Sequence, residues 1–329
     1  MKFAHFSHIW GKPGMTPHQR YEELWRELQL CDELGFDYGF CVEHHFRPDE
    51  SWISSPSLYA VGAGARTRRL RVGPMGYIVP LYHPLRLAEE VALLDMLSGG
   101  RVNWGAGRGF AHSEFNAFGV PPEESAERFR EAVEIVLKAW TQERFTFKGA
   151  HFAFDDVEVL PKPLQQPHPP TWMAATSEQA IDWAASRGFS ILMDPHASTK
   201  ELGDKRRRYA EKLADAGFSD KGREIPMARL VALAPTTAEA ETVARRGAQW
   251  LIESYAGPQH AHRKSMQRTY GGQDPTQYYV DNVILHGTPA SVVEQIGRLK
   301  EEIGLGYLMC APLSRETFHL LADQVLPRL

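Results

Sequence analysis

Glu43-His44-His45-Phe46 closes an apolar run that begins at residue 38, and imidazoles beside a carboxylate suit proton transfer near neutral pH. Side chains alternate along a strand, so His44 is expected on one side and Glu43 and His45 on the other. A metal centre is the weaker reading, because adjacent ligands on one strand point apart. Gly105-Ala106-Gly107-Arg108-Gly109 follows another apolar run. Its glycines permit a tight turn, and Arg108 adds a permanent cation whose fork geometry suits phosphate. Ala175-Thr176-Ser177 stands just before a helical pattern at 178–187. Ser and Thr cap helices there, and the exposed backbone N–H groups of a helix start bind anions. Alone, that pair reads as an ordinary cap; together with Arg108 it reads as a phosphate site. Gly287-Thr288-Pro289 is a rival anion site and ranks second, as a Thr cap with proline at the first helical position. Trp10, Tyr77 and Trp104 are candidates to wall a flat ring, although aromatic residues at such positions more often belong to a core. The basic run 205–208 reads as a solvated helix face.

The elements that must position these groups alternate from end to end. Strand-like apolar runs at 3–6, 38–43, 70–77, 102–106, 172–174, 190–193, 227–234 and 307–311 are separated by helical patterns. Those patterns fall at 18–34, 56–66, 84–97, 123–140, 178–187, 199–216, 238–253, 289–302 and 315–323. Near-continuous apolar strands with helices between them imply a parallel sheet buried on both faces, hence an α/β fold. Eight such units over roughly 250 core residues favour a (β/α)8 TIM barrel with insertions over a doubly wound sheet. A dinucleotide fold would also need Gly-x-Gly-x-x-Gly after the first strand, where Ser7-His8-Ile9-Trp10-Gly11 stands instead. Barrel enzymes work at the C-terminal ends of their strands, where the chemical groups above fall. Residues 144–160 read as an inserted hairpin, and 161–170 return the chain through five prolines. The aperiodic stretch 254–286 reads as a lid-like insertion. The chain 1–329 is thus expected to be a single barrel domain.

Composition narrows the class. The chain has 329 residues, 43% hydrophobic and 24% charged, with a formal net charge of −4, which excludes disorder and gives no basic stripe for nucleic acid or a membrane surface. No apolar run approaches the roughly 20 residues of a transmembrane helix, and the N-terminus reads as a strand rather than a signal peptide. Cys31, Cys41 and Cys310 form neither a CxxC pair nor a metal-spaced set, so a reduced, cytoplasmic protein is expected.

At Glu43-His44-His45-Phe46 the chain resembles the bacterial luciferase-like, flavin-dependent monooxygenase family. Further motifs of that family recur in order: Gly35-Phe36-Asp37, Pro80 to His83-Pro84 with Arg86 to Glu89, Leu94-Asp95-Met96-Leu97-Ser98-Gly99-Gly100-Arg101, Gly107-Arg108-Gly109, Phe118-Gly119 and Gly287-Thr288-Pro289. The similarity covers nearly the whole chain, and its opening is more similar to the catalytic α subunit of luciferase than to the coenzyme F420-dependent branch.

The resemblance implies a (β/α)8 barrel that dimerises through its second and third helices. It implies FMN as cofactor, arriving as FMNH2 from a separate NAD(P)H:flavin reductase. It also implies activation of O2 through a flavin C4a-(hydro)peroxide, to oxygenate a small organic substrate. Carried over by position, His44 matches the active-site histidine and Arg108 the arginine that grips the FMN phosphate. Ala175, Thr176 and Ser177 match the segment that binds phosphate and ribityl chain. Met75-Gly76 falls where luciferase has a non-prolyl cis peptide beneath the isoalloxazine, and 254–286 where it has a mobile loop. The chain departs from the family at Gly107, where a reactive cysteine is usual. In the lid stretch, Tyr255, His260, His262, Arg263 and Arg268 point to a more polar or anionic substrate than a long-chain aldehyde. Two alternatives stand beside this reading: an F420-dependent hydride-transfer oxidoreductase and a non-catalytic flavin-binding subunit. Retention of His44 and Arg108 speaks against the subunit.

Overall fold

Local signals set where the elements start and stop. Thr16 and Gln19 form a reciprocal capping box at the head of α1 (Pro17–Leu34), Pro17 opens its first turn, and Gly35 ends it in the left-handed region at φ 86°. The computed structural model describes residues 1–7, 9, 14–46, 51–256, 270 and 272–329. In chain order the strands are β1 (Lys2–Ser7), β2 (Tyr38–Cys41), β3 (Arg71–Pro74), β4 (Tyr77–Ile78), β5 (Trp104–Gly107), β6 (Phe145–Lys148), β7 (Ala153–Val157), β8 (Thr171–Ala174), β9 (Ser190–Leu192), β10 (Met227–Leu233), β11 (Leu285–Gly287) and β12 (Tyr307–Pro312). Helices α2 (Pro56–Arg66), α3 (Pro84–Leu97), α4 (His112–Ala117), α5 (Ser125–Thr141), α6 (Glu178–Ser186), α7 (Thr199–Asp215) and α8 (Thr237–Ala256) fall between them. Among the described residues no helix is long and apolar enough to cross a membrane.

The chain divides into two compact units, Ser7–Ala174 and Met1–Phe6 with Ala175–Leu329. Among the described residues of Ser7–Ala174 every strand pairing except one hairpin is parallel. β2 aligns Tyr38 with Arg71 and Cys41 with Pro74 on β3, and Val72 bridges to Val102. β4 aligns Tyr77 with Ala106 of β5, which in turn pairs with β8. Phe40 meets Trp172 edge to face, with centroids 5.3 Å apart, in the core that these strands bury. The expected strand at 70–77 is broken in two: Pro74 has no N–H for the ladder, so Met75-Gly76 steps between β3 and β4. β6 and β7 are the antiparallel pair, and Glu131 of α5 accepts the N–H groups of Ala150 (2.6 Å), His151 (3.1 Å) and Phe152 (3.2 Å) at their turn.

The motif at 94–101 proves to be a brace. Asp95 is fully buried and accepts from the backbone (2.8 Å) and side-chain amide (2.6 Å) of Gln165. Arg101 donates to the carbonyls of Gly64 (2.8 Å) and Leu70 (2.9 Å), fixing the end of α2 against the start of β3. These charge-assisted contacts satisfy buried polar groups and leave the motif no exposed chemistry.

In the second unit β1, β10, β11 and β12 are parallel, β12 lying between β1 and β10 and β11 on the far side of β10. Met193, just after β9, bridges to Met227 of β10. The C-terminal part of the stretch 254–286, aperiodic in sequence, holds regular elements. Pro275–Asn282 is a helix capped by Asp274, with Tyr278, Tyr279 and Val280 buried, and β11 begins at Leu285. An eight-residue helix and a three-residue strand are too short to show a period. Residues 257–269 and 271, and the side chain of Tyr255, lie outside the described residues; His260, His262, Arg263 and Arg268 are among them.

Candidate functional site

β2 stops at Cys41, so residues 42–45 leave the strand before the histidines and strict alternation no longer applies. Glu43 and His45 still meet: His45 Nε2 lies 2.9 Å from Glu43 Oε1. Glu43, 3% exposed, also accepts the Ile78 N–H at 2.7 Å and the Tyr82 O–H at 2.7 Å. Burial and the Glu43 carboxylate push the Tyr82 phenol far above its ordinary range, so it serves as a donor. His44 is buried, its Nδ1 3.6 Å from Glu114 Oε1 and its ring centroid 5.9 Å from that of Phe110. The same Glu114 oxygen accepts the His45 N–H at 2.8 Å.

Sequence reasoning missed Glu114. It is 1% exposed, between buried Ala111 and Phe115. The 111, 114, 115 spacing puts a carboxylate on the buried stripe of α4, and that misplaced charge was the available signal. Tyr77 and Trp104 are core rather than ring walls. Tyr77 is fully buried with its hydroxyl 2.7 Å from Ser57, and Trp104 packs edge-on against Trp140 at 5.0 Å. Trp10 lies outside the described residues.

Glycines bring two backbones together beside the histidines' strand. A Cβ on Gly105 would stand 2.2 Å from the Met75 carbonyl oxygen, and one on Gly76 would be 3.3 Å from the Gly107 nitrogen. The Met75-Gly76 bond is not cis; the cis bonds among the described residues are Leu160-Pro161 and Gln166-Pro167. The expected family feature is therefore absent, and the step between β3 and β4 is made by a trans peptide after Pro74. Arg108 follows β5 directly, is exposed, and makes no ion pair among the described residues. Behind it Gly109 turns the chain at φ 79°, where a Cβ would strike Ile78 Cγ2 at 2.5 Å.

In the other unit Ser177 caps α6, its Oγ accepting the Ala180 N–H at 3.3 Å. Thr176 is exposed and Ala175 buried just ahead of it. One cap bond leaves other first-turn N–H groups to face a ligand or water. Thr288 caps the helix Pro289–Ile303 through the Ser291 N–H, the ordinary Thr-Pro start expected there. After β9, Asp194 pairs with Lys205 at 2.7 Å; burial works upward on its carboxyl, but Lys205 and His196 outweigh burial and hold it below the usual range.

Within Ser7–Ala174 the residues suit a flavin: Arg108, with no ion pair among the described residues, is phosphate chemistry, and backbone edges without side chains at Gly76 and Gly107 admit a flat ring. In the other unit the capped start of α6 is anion chemistry by itself.

The sequence profile of the luciferase-like monooxygenases matches residues 1–305. The alkanal monooxygenase alpha chain of Aliivibrio fischeri is 26% identical over 328 residues, covering 94% of this chain and 92% of that one. The oxygenase component of the flavin-dependent trigonelline monooxygenase of Acinetobacter baylyi is 28% identical over 206 residues, 61% of this chain and 57% of that one. Among solved structures, the monooxygenase RslO1 of Streptomyces bottropensis superposes with a TM-score of 0.84 at 27% identity, covering 99% of both chains.

Proposed function

The chain belongs to the luciferase-like monooxygenase family, with its (β/α)8 fold, and on that premise we propose that it is the oxygenase of a two-component system. It would use FMNH2 and O2 to oxygenate a small organic substrate, the reduced flavin coming from a separate NAD(P)H:flavin reductase. Membership makes it a flavin-dependent monooxygenase. The relative named as an oxygenase component supports the separate reductase.

The observation that carries the choice of FMN is Arg108, an exposed guanidinium at the end of β5 that pairs with no carboxylate among the described residues. In this reading Arg108 binds the FMN phosphate, and Ala175, Thr176 and Ser177 offer the start of α6 to phosphate and ribityl oxygens. The Met75-Gly76 peptide supports the ring from beneath. When bound, reduced flavin supplies the electrons that activate O2. His44 holds or delivers a proton at the reacting oxygen, and its burial with Phe110 keeps bulk water from that exchange. A second copy of the chain is the proposed partner for the apolar face of α2 and α3, where Leu58, Val61, Leu93, Met96 and Leu97 are all exposed.

Anaerobic titration with reduced FMN, followed by rapid mixing with oxygenated buffer, tests this reading. Tight binding with reoxidation slower than that of free reduced FMN is expected. Failure to bind reduced FMN, with binding of reduced F420 instead, would overturn it in favour of hydride transfer.

A further inference from the structure

Two neighbouring histidines meet two different carboxylates. Glu43 is spent: the Ile78 N–H, the Tyr82 O–H and His45 Nε2 lie at 2.7, 2.7 and 2.9 Å around it. A carboxylate accepts only, so these contacts fix His45 as the Nε2–H tautomer and tie its ring to the β3–β4 step. Glu114 is engaged differently. Among the described residues it accepts one hydrogen bond, from the His45 N–H at 2.8 Å, and no lysine or arginine pairs with it. That oxygen also faces His44 Nδ1 at 3.6 Å, and both side chains are almost wholly buried. A buried carboxylate beside one imidazole nitrogen favours a proton there and steadies the ring when the other nitrogen takes a second. Such contacts are often long before substrate binds.

We propose that Glu114 is the positioning residue for His44: it fixes the Nδ1–H tautomer, so Nε2 is the atom that takes up and releases the proton. Glu43 meanwhile withdraws His45 from proton transfer. Glu114 keeps its negative charge throughout, the Nδ1 proton stays in place, and one proton enters and leaves at Nε2. The catalytic consequence rests on the flavin monooxygenase reading; the tautomer assignment does not.

The test is nitrogen-15 NMR of the histidine rings in the flavin-free protein at a pH where they are neutral. The His44 signal is assigned by its loss in His44→Gln. Wild type is expected to show Nδ1–H for His44 and Nε2–H for His45. Glu114→Gln keeps an oxygen for the His45 N–H but loses the charge, so His44 alone should shift toward the Nε2–H form. Glu43→Gln should disturb His45 and leave His44 as it was. Glu114→Asp restores the charge and should return most of the Nδ1–H population, which also covers a Gln variant that folds poorly. In the loaded enzyme Glu114→Gln should lower coupled turnover by about 10²-fold with reduced-FMN affinity unchanged. An unchanged His44 tautomer in Glu114→Gln would overturn the proposal. A shifted tautomer with full coupled turnover in both Glu114→Gln and His44→Ala would uphold the positioning and sink the proton role in the functional reading.

Discussion

The Met75 carbonyl oxygen occupies the space that a side chain on Gly105 would need: a Cβ there would lie 2.2 Å from that oxygen and 2.5 Å from the carbonyl oxygen of Pro74. Both obstacles are backbone, so neither can rotate away, and Gly105→Ala must separate the β3–β4 step from β5. A cost of about 2–4 kcal/mol is expected. Gly107→Ala is the control, because its Cβ would meet the Tyr77 carbonyl at 3.4 Å and the Ala174 Cβ at 3.7 Å, contacts that a small adjustment relieves. Its cost should stay below about 1 kcal/mol. Denaturant unfolding of the two variants checks the contrast, and equal stability would show that the close approach is not essential.

Arg108 allows ligand binding to be separated from folding. It is exposed and carries no ion pair among the described residues, so Arg108→Met should leave the unfolding free energy within about 0.5 kcal/mol. Loss of a charge-assisted phosphate contact, worth about 1.5–3 kcal/mol, should weaken reduced FMN by roughly ten- to a hundredfold. Reduced riboflavin, which lacks the phosphate, should bind wild type and variant equally. Parallel anaerobic titrations of both flavins measure this, and an equal loss for riboflavin would remove the phosphate from Arg108.

Local features that depend on one short segment were legible in the sequence. The exposure of Arg108 between glycines and the capping role of Ser177 before a helix follow from adjacent residues, and the structure shows both. Glu114 was not legible in the same way, because α4 has six residues and the histidine that its carboxylate faces lies seventy positions earlier. The parallel order followed from apolar runs, but β4 with two residues and β11 with three fall short of the roughly four residues over which alternation becomes readable. Tyr77 and Trp104 look alike as ring walls or core, and only three-dimensional packing separates the two.

The outer face of α2 and α3 should decide assembly. Leu58 is 73% exposed and Leu97 65%, and their neighbours Val61, Leu93 and Met96 extend the apolar area. A second copy would bury this face in an isologous contact, where a charge is costly. Leu58→Glu with Leu97→Glu should convert a dimer to monomers while leaving the fold intact, since neither side chain belongs to the core. Light scattering after gel filtration reads the mass directly; a wild-type monomer, or a double variant that stays dimeric, would exclude this face.

His5 sets an expected acid sensitivity. It lies on β1 in register with Cys310, its ring edge-on to Phe318 at 5.7 Å, and burial lowers its pKa from 6.5 to about 4. The folded chain therefore holds it neutral, whereas the unfolded chain protonates it below about 6.5. Its contribution to stability is complete above that value and is lost as the pH falls toward the folded value near 4. The difference between the two values, from 6.5 to about 4, corresponds to a total of roughly 3 kcal/mol. Most of it, about 2 kcal/mol, should disappear between pH 7 and pH 5. His5→Asn cannot ionise, so it should lose about 2 kcal/mol less than wild type over that interval, whatever its stability at pH 7. Urea unfolding at the two pH values measures the difference, and parallel losses in wild type and variant would show that His5 is not the titrating group.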